Sequence, residues 1–412
     1  MQQVDRLMEN VYHQEQQFDT SFLRDLGEKA YYQSIYNIQK HTGLGFSFSH
    51  ISQKQVGQVL RMNWSGKHYS KRIWKNTENL AQTLKEEMLV SLLTGRTDRE
   101  TAQIIENKFG AGAIQVRRLV RTESCFVAGE LTARAYEECG VEKYRYLATL
   151  DLRTSEICRS LDGKVFTLSE RLVGKNHPPM HPWCRSTTIS IIDEETLARM
   201  KKRAYNPGTG RIDLIPANMT YDQWYEKYVK GNAKAEAQEK AIKNNSSDRE
   251  QYERYQKVLG KTVPKSFADF QDMKYNEPEM WKFMKLDYQR RSELLEHPEL
   301  KLPNAEKAIL PEPKFTKYLF DENSKSGYPK GRAFTDRLGY GMDNWQKLQK
   351  ALKNGAPRYP AQYVDNNGYG DRYVQKMVLY GEKGTPANVI VAWLKNADGT
   401  TKLTSAYIKE AK

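Results

Sequence analysis

Asp151-Leu-Arg-Thr-Ser-Glu-Ile-Cys158, then Leu161-Asp-Gly-Lys-Val-Phe166, then His177-Pro-Pro-Met-His-Pro-Trp-Cys-Arg-Ser186: this punctuated run decides how the chain reads. Two of the four cysteines and two of the seven histidines lie in it, so ligand-type side chains are concentrated where prolines and glycine break regular structure. The period around it is two. Tyr144, Tyr146, Ala148 and Leu150 alternate with Arg145, Leu147 and Thr149, which predicts a strand. Asp162-Gly163 predicts a turn ahead of Lys164-Val-Phe-Thr167, and the β-branched run Ser186 to Ile192 predicts another strand.

Upstream the period is helical. Leu80, Leu84 and Met88 recur every four residues after Ile73, with Gly95 as a stop. Thr97-Asp-Arg-Glu100 reads as a capping box for a helix with Ala102, Ile105 and Phe109 on its apolar stripe and Gly110 at its end. A longer helix is expected from Ala113 to Cys139, closed by Gly140. Arg121-Thr-Glu123 falls in its middle, and charges held in a core need partners, so Arg121 and Glu123 are each expected to pair with another segment.

The Arg-Thr-Glu helix followed by the Cys/His run resembles the phage head-morphogenesis family typified by the Mu F minor head protein, over residues 57–192. The resemblance implies a capsid component of the virion, near the portal or in the capsid interior, with roles in head morphogenesis and DNA packaging or ejection. Its partners would be portal and capsid proteins and phage DNA, and it would be made in the bacterial host cytoplasm. Phe-x-x-Phe at Phe267 and Phe270, and Lys274-Tyr275, are similar to segments that follow this module in related proteins.

Cys158, His177, His181 and Cys184 are ligand types suited to zinc, which thiolate and imidazole bind tetrahedrally. Prolines 178, 179 and 182 exclude a helical His-Glu-x-x-His protease site, and a zinc deaminase would need a His-x-Glu and a Cys-x-x-Cys, neither of which occurs in this run. Structural zinc is the metal reading that remains. Relatives carry a second cysteine near the position of Ser155, which removes one ligand here. The alternative is a rigid turn that packs Trp183 and Arg185 against the sheet, with both cysteines as small buried residues; for His181 to Arg185 this packed turn is the preferred reading.

The remaining segments are an N-terminal helical stretch at 1–56, a polar helical linker or arm at 193–305, and a basic α+β domain at 306–412. In the last, Phe315 to Phe320, Arg332 to Leu338 and Trp345 to Leu352 read as helical, followed by strands at Arg372 to Tyr380, Ala387 to Leu394 and Lys402 to Ile408. The whole chain is expected to be α+β, with antiparallel sheets following helices.

Tyr328-Pro-Lys-Gly-Arg-Ala-Phe334, Tyr369-Gly-Asp-Arg-Tyr373 and Leu403-Thr-Ser-Ala-Tyr407 resemble motifs in a domain that ends phage head proteins and bacterial polymorphic toxins. The helices-then-sheet order is also similar to barnase-, colicin- and RelE-type ribonucleases. This implies an effector-like domain, and as the alternative function a virion-delivered toxin with a metal-independent ribonuclease at its C-terminal end. Lys330, Arg332 and Arg372 could then hold phosphate, Thr404 or Ser405 could orient it, and Tyr373 or Tyr407 could stack on a base. No histidine follows His297, so an imidazole acid and base pair is excluded there. A basic module that binds DNA, RNA or a capsid partner is the competing reading.

Composition agrees with polyanionic partners: Lys and Arg outnumber Asp and Glu, for a formal charge of +14. Four cysteines in 412 residues do not resemble a secreted disulfide framework. A signal-peptide pattern is not expected at Met1 to Asn10, and an apolar run long enough to span a membrane is not expected either.

Overall fold

The computed structural model describes residues 2–43, 45, 47–64, 75, 78, 79, 81–87, 90, 98–191 and 194–410. The chain divides into two compact units, Met1–Ala235 and Glu236–Lys412.

The first unit is organised by two helices of 41 residues each, α1 (Gln2–Thr42) and α3 (Asp98–Glu138). Neither is strongly amphipathic along its whole length, and each is stabilised where it packs rather than by propensity alone. Leu23, Tyr31, Ile35 and Ile38 of α1 meet Leu119, Phe126, Val127, Leu131 and Ala135 of α3 in one core. Gly27 permits the approach, because a Cβ there would run into the Leu131 methyl. A short helix, α2 (Gln53–Leu60), starts at a Ser52–Gln55 capping box and adds Val56, Val59 and Leu60 to this core.

Gly110 does not end a helix: α3 runs through it and through Ala113 without a break. An isolated glycine costs a helix only about 1 kcal/mol, which the packed C-terminal half of α3 readily offsets. Residues 81–87 are helical, whereas Ile73, Leu80, Met88, Gly95 and Thr97, on which the expected upstream helix and capping box rest, lie outside the described residues.

The sheet after α3 has the order β2–β1–β3, with β1 (Lys143–Leu147) central and antiparallel to both β2 (Val165–Thr167) and β3 (Thr187–Ser190). Tyr144 and Tyr146, on one side of β1, are fully buried. Helix α4 (Glu156–Leu161) is capped by Ser155, whose hydroxyl accepts from the Cys158 amide. Asp162 does more than turn the chain. One carboxylate oxygen accepts from Ala148 N at 2.7 Å and the other from Tyr221 N at 2.6 Å, tying the sheet to the segment that follows.

Where the polar composition predicts a helical linker or arm, that segment holds a hairpin: β4 (Lys201–Asn206) and β5 (Arg211–Pro216), after the short helix α5 (Glu194–Arg199). Helix α6 (Tyr221–Tyr228) buries Trp224 completely, and the indole donates to Tyr205 O at 2.8 Å. Helix α7 (Ala233–Lys243) follows.

In the second unit α8 (Asn245–Leu259), α9 (Phe267–Asn276) and α10 (Pro278–Glu296) enclose Tyr252, Tyr255, Phe270 and Met284. Asp248 is fully buried and accepts from Lys274 at 2.6 Å, Gln271 at 2.9 Å and Tyr275 at 2.9 Å. The C-terminal part is a meander in the order β6–β7–β8–β9: Ala361–Asn366, Gly370–Tyr380, Pro386–Asn396 and Thr401–Ile408. Its helices are α11 (Tyr328–Leu338) and α12 (Trp345–Gly355), preceded by a π-helical turn at Phe315–Leu319. Phe315, Phe334, Leu348, Leu352, Met377, Val391 and Trp393 form the core. Strand β6 is an addition to the three expected strands, and α11 begins at Tyr328, earlier than Arg332. Pro329 fits its first turn, where no amide donor is needed. The chain is thus α+β, with helices preceding antiparallel sheets in both units.

Candidate functional sites: a Cys/His centre and a lysine–tyrosine cluster

In the first unit, one face of α3 holds down the long loop between β2 and β3. Thr122 Oγ1 accepts from Trp183 N at 3.1 Å, Cys125 Sγ donates to Ser186 O at 3.5 Å, and Glu130 forms a two-point ion pair with Arg171. Thr122 and Cys125 are three apart and share one face of α3, and Glu130 holds the loop further along the helix. Glu123 is buried and accepts from the Trp64 indole at 3.1 Å, meeting the expectation for that residue. Arg121 does not meet it. Its guanidinium is exposed and has no hydrogen-bond or ion-pair partner among the described residues.

The fixed loop brings Cys158, His181 and Cys184 together, with their ligand atoms all within 4.8 Å of one another. The two sulfurs are 3.9 Å apart, and Cys158 Sγ is 3.4 Å from His181 Nε2. Zinc bonds of about 2.3 Å to sulfur and about 2.0 Å to nitrogen require ligand–ligand edges of about 3.5–3.8 Å in a tetrahedron, so the spacing suits a shared ion. His181 Nδ1 donates to Pro182 O at 2.7 Å, which leaves the Nε2 lone pair facing the sulfurs. On the remaining side Ser155 Oγ lies 2.8 Å from His181 Nε2, in place of the second cysteine that the resemblance associates with this position. Without an ion, the Cys158 thiol is pushed up to about 12, first by its hydrogen bond with Cys184 and then by burial.

His177 stands apart from this centre. Its ring meets Tyr144 edge-on at 5.5 Å, and its Nδ1 donates to Pro178 O at 3.0 Å. Buried Nε2 has no partner among the described residues, and desolvation lowers the imidazole to about 3, so it is neutral. Of the two residues that the turn reading packs against the sheet, Arg185 pairs with Asp151 through both carboxylate oxygens, whereas the Trp183 side chain stays exposed.

In the second unit the residues proposed for phosphate chemistry fall into two groups. Lys330 Nζ is 3.0 Å from Tyr318 Oη and 3.4 Å from Ser405 Oγ, and it lies over the rings of Tyr318 at 5.4 Å and Tyr407 at 5.9 Å. The hydrogen bond from Lys330, then that of Ser326, holds the Tyr318 phenol below its ordinary value. Gly331 makes this possible, since a Cβ there would collide with the Leu319 carbonyl. Arg372 is instead paired with Asp365 on the exposed surface, and Thr404 donates to Ala392 O at 2.9 Å. Arg332 is exposed. Tyr318 was missed in the sequence; Gly327 and Gly331 were the available signals, two glycines four apart where α11 crosses another backbone.

Residues 82–189 match the family described as Phage Mu protein F like protein, and residues 301–410 match one described as a domain of unknown function (DUF6883). Among curated proteins, the NAD(+)--arginine ADP-ribosyltransferase EFV of Enterococcus faecalis is 26% identical over 219 residues, which is 50% of this chain. The match spans 44% of that protein's length. No solved structure matches the chain. The α3–sheet module, the Cys/His loop included, is thus the part of the chain that is similar to the Mu F-like family.

Proposed function

We propose that this chain is a minor head protein of a phage virion, seated near the portal or in the capsid interior and acting in head assembly and in DNA packaging or ejection. The observation that carries this reading is the family match over residues 82–189. Two surface properties support it. The formal charge of +14 suits a place beside packaged DNA, and α1 leaves Leu7, Phe18 and Phe22 exposed, apolar groups that an assembly partner would cover. Disrupting the coding sequence in the producing phage should lower the yield of filled, infectious heads. An undiminished yield of normal particles would contradict the reading.

A structural zinc at Cys158, His181 and Cys184 fits this role. When bound, the ion would cross-link α4 to the loop before β3 and contribute folding energy. Cys184→Ser should release about one equivalent of metal and lower the thermal stability of the first unit. Protein purified without chelator and free of stoichiometric metal would leave only the packed turn.

A second reading rests on the Lys330–Tyr318–Ser405–Tyr407 cluster: the virion delivers the second unit as a ribonuclease toxin. Lys330 would stabilise charge developing on a phosphate, Ser405 would orient it and Tyr407 would stack on a base. That the Enterococcus faecalis relative is named as a transferase enzyme supports an effector reading for chains of this kind. Lys330→Ala should cut RNA cleavage by about a hundredfold, the effect of losing one preorganised group. Total RNA left intact by the folded wild-type protein would leave a basic docking domain.

A further inference from the structure

Beside the Cys/His centre lies a cleft of about 480 Å³ whose wall includes Arg121, Arg153, Arg185, Ser155 and Trp183. Among the described residues, no carboxylate lines it. Arg185 is neutralised by Asp151, but the Arg121 and Arg153 guanidinium groups are exposed and have no partner among the described residues. Two unpaired guanidinium groups on one concavity attract an anion and match the geometry of phosphate oxygens.

Trp183 supplies an independent observation. It is the bulkiest side chain possible, yet its φ is 68°, in the left-handed region that non-glycine residues rarely adopt. The bond from its amide to Thr122 holds it there, and the indole remains 42% exposed. Backbone strain of this kind clusters at ligand-binding sites. The indole and Arg121 also border a second cavity of about 710 Å³, lined by Phe22, Leu26, Val120 and Ala128. A flat apolar group next to a phosphate therefore has somewhere to go.

We propose that this cleft binds a nucleotide unit, with Arg121 and Arg153 on its phosphate and Trp183 against its base. Both a free nucleotide and the end of a single strand present that chemistry. Base stacking on an aromatic side chain and guanidinium contacts to phosphate together make such binding tolerant of sequence and sensitive to salt.

The test uses the full chain and a short 5′-phosphorylated oligouridylate containing 5-iodouridine, with uridine monophosphate and inorganic phosphate as competitors. Ultraviolet cross-linking followed by peptide mass spectrometry should place the adduct on Trp183. The Arg121→Ala, Arg153→Ala double variant should bind about tenfold more weakly or worse and lose that adduct, while Lys201→Ala, an exposed charge loss on β4, should keep it. Trp183→Gly retains the left-handed backbone and should lose the adduct with an unchanged circular dichroism spectrum. Competition by uridine monophosphate as effective as the unlabelled strand identifies the free nucleotide as the ligand, and far stronger competition by the strand identifies nucleic acid. Adducts confined to residues 236–412, or an adduct at Trp183 undiminished in the folded double variant, would overturn the proposal.

Discussion

His177 shows how a residue chosen for one chemistry can serve another. Its position two prolines before His181 suggested a ligand, but a ring buried against Tyr144 with its Nδ1 proton given to Pro178 O is a packed, neutral imidazole. Unfolded, it takes up a proton near its ordinary value of about 6.5; folded, it resists to about 3. Its native-state advantage is therefore complete above about pH 6.5 and shrinks as pH falls from there. Urea titrations should show the wild type losing up to about 2 kcal/mol from this residue between about pH 6.5 and pH 5, a slope absent in His177→Phe. Equal slopes in both proteins would place the imidazole in contact with water. The three residues that do converge, Cys158, His181 and Cys184, were legible by type and by the prolines around them. That His177 is excluded depends on which way the loop folds back on α3, which no local spacing encodes.

Among the elements, α10 and α11 decide what the C-terminal sheet needs. Asp287 on α10 is fully buried, accepts from Tyr359 Oη at 2.6 Å and pairs with Arg291 at 2.8 Å; the same phenol oxygen lies 2.9 Å from Val378 O. Burial raises the Asp287 carboxyl despite the Arg291 charge beside it, and removing one partner of such a pair costs about 3–5 kcal/mol. Asp287→Ala should lower the unfolding free energy of a 236–412 fragment by an amount of that order and with it the denaturation midpoint, and a 306–412 fragment lacking α10 should be less stable still. Equal midpoints would show that the sheet does not use α10. Gly331→Ala should destabilise the same unit by about 1–3 kcal/mol and part Lys330 from Tyr318, because a backbone carbonyl stands where the methyl would go. The long strands of this sheet were readable from alternation and turn glycines. Edge strand β6, largely exposed, lacked an apolar period, and the β4–β5 hairpin was hidden by charged residues despite its Asn206-Pro207-Gly208 turn signal. In both cases the strand is made by pairing with a neighbour rather than by its own pattern.

At the scale of the whole molecule, the family match covers α3 and the three-stranded sheet, while the second unit carries a separate cluster of potential chemistry. The fold class and the head module were legible because hydrophobic period and punctuation agree there. The unit boundary was not, since residues 193–305 look uniformly polar although Trp224, Tyr255 and Phe270 within them are buried in two different cores. A head module in a strongly basic chain makes presence in the particle the central claim. Quantitative protein analysis of extensively purified virions tests it most directly. The account predicts this chain at a few copies per particle, retained after nuclease and salt washing; its confinement to the lysate, with normal particles that lack it, would contradict the account.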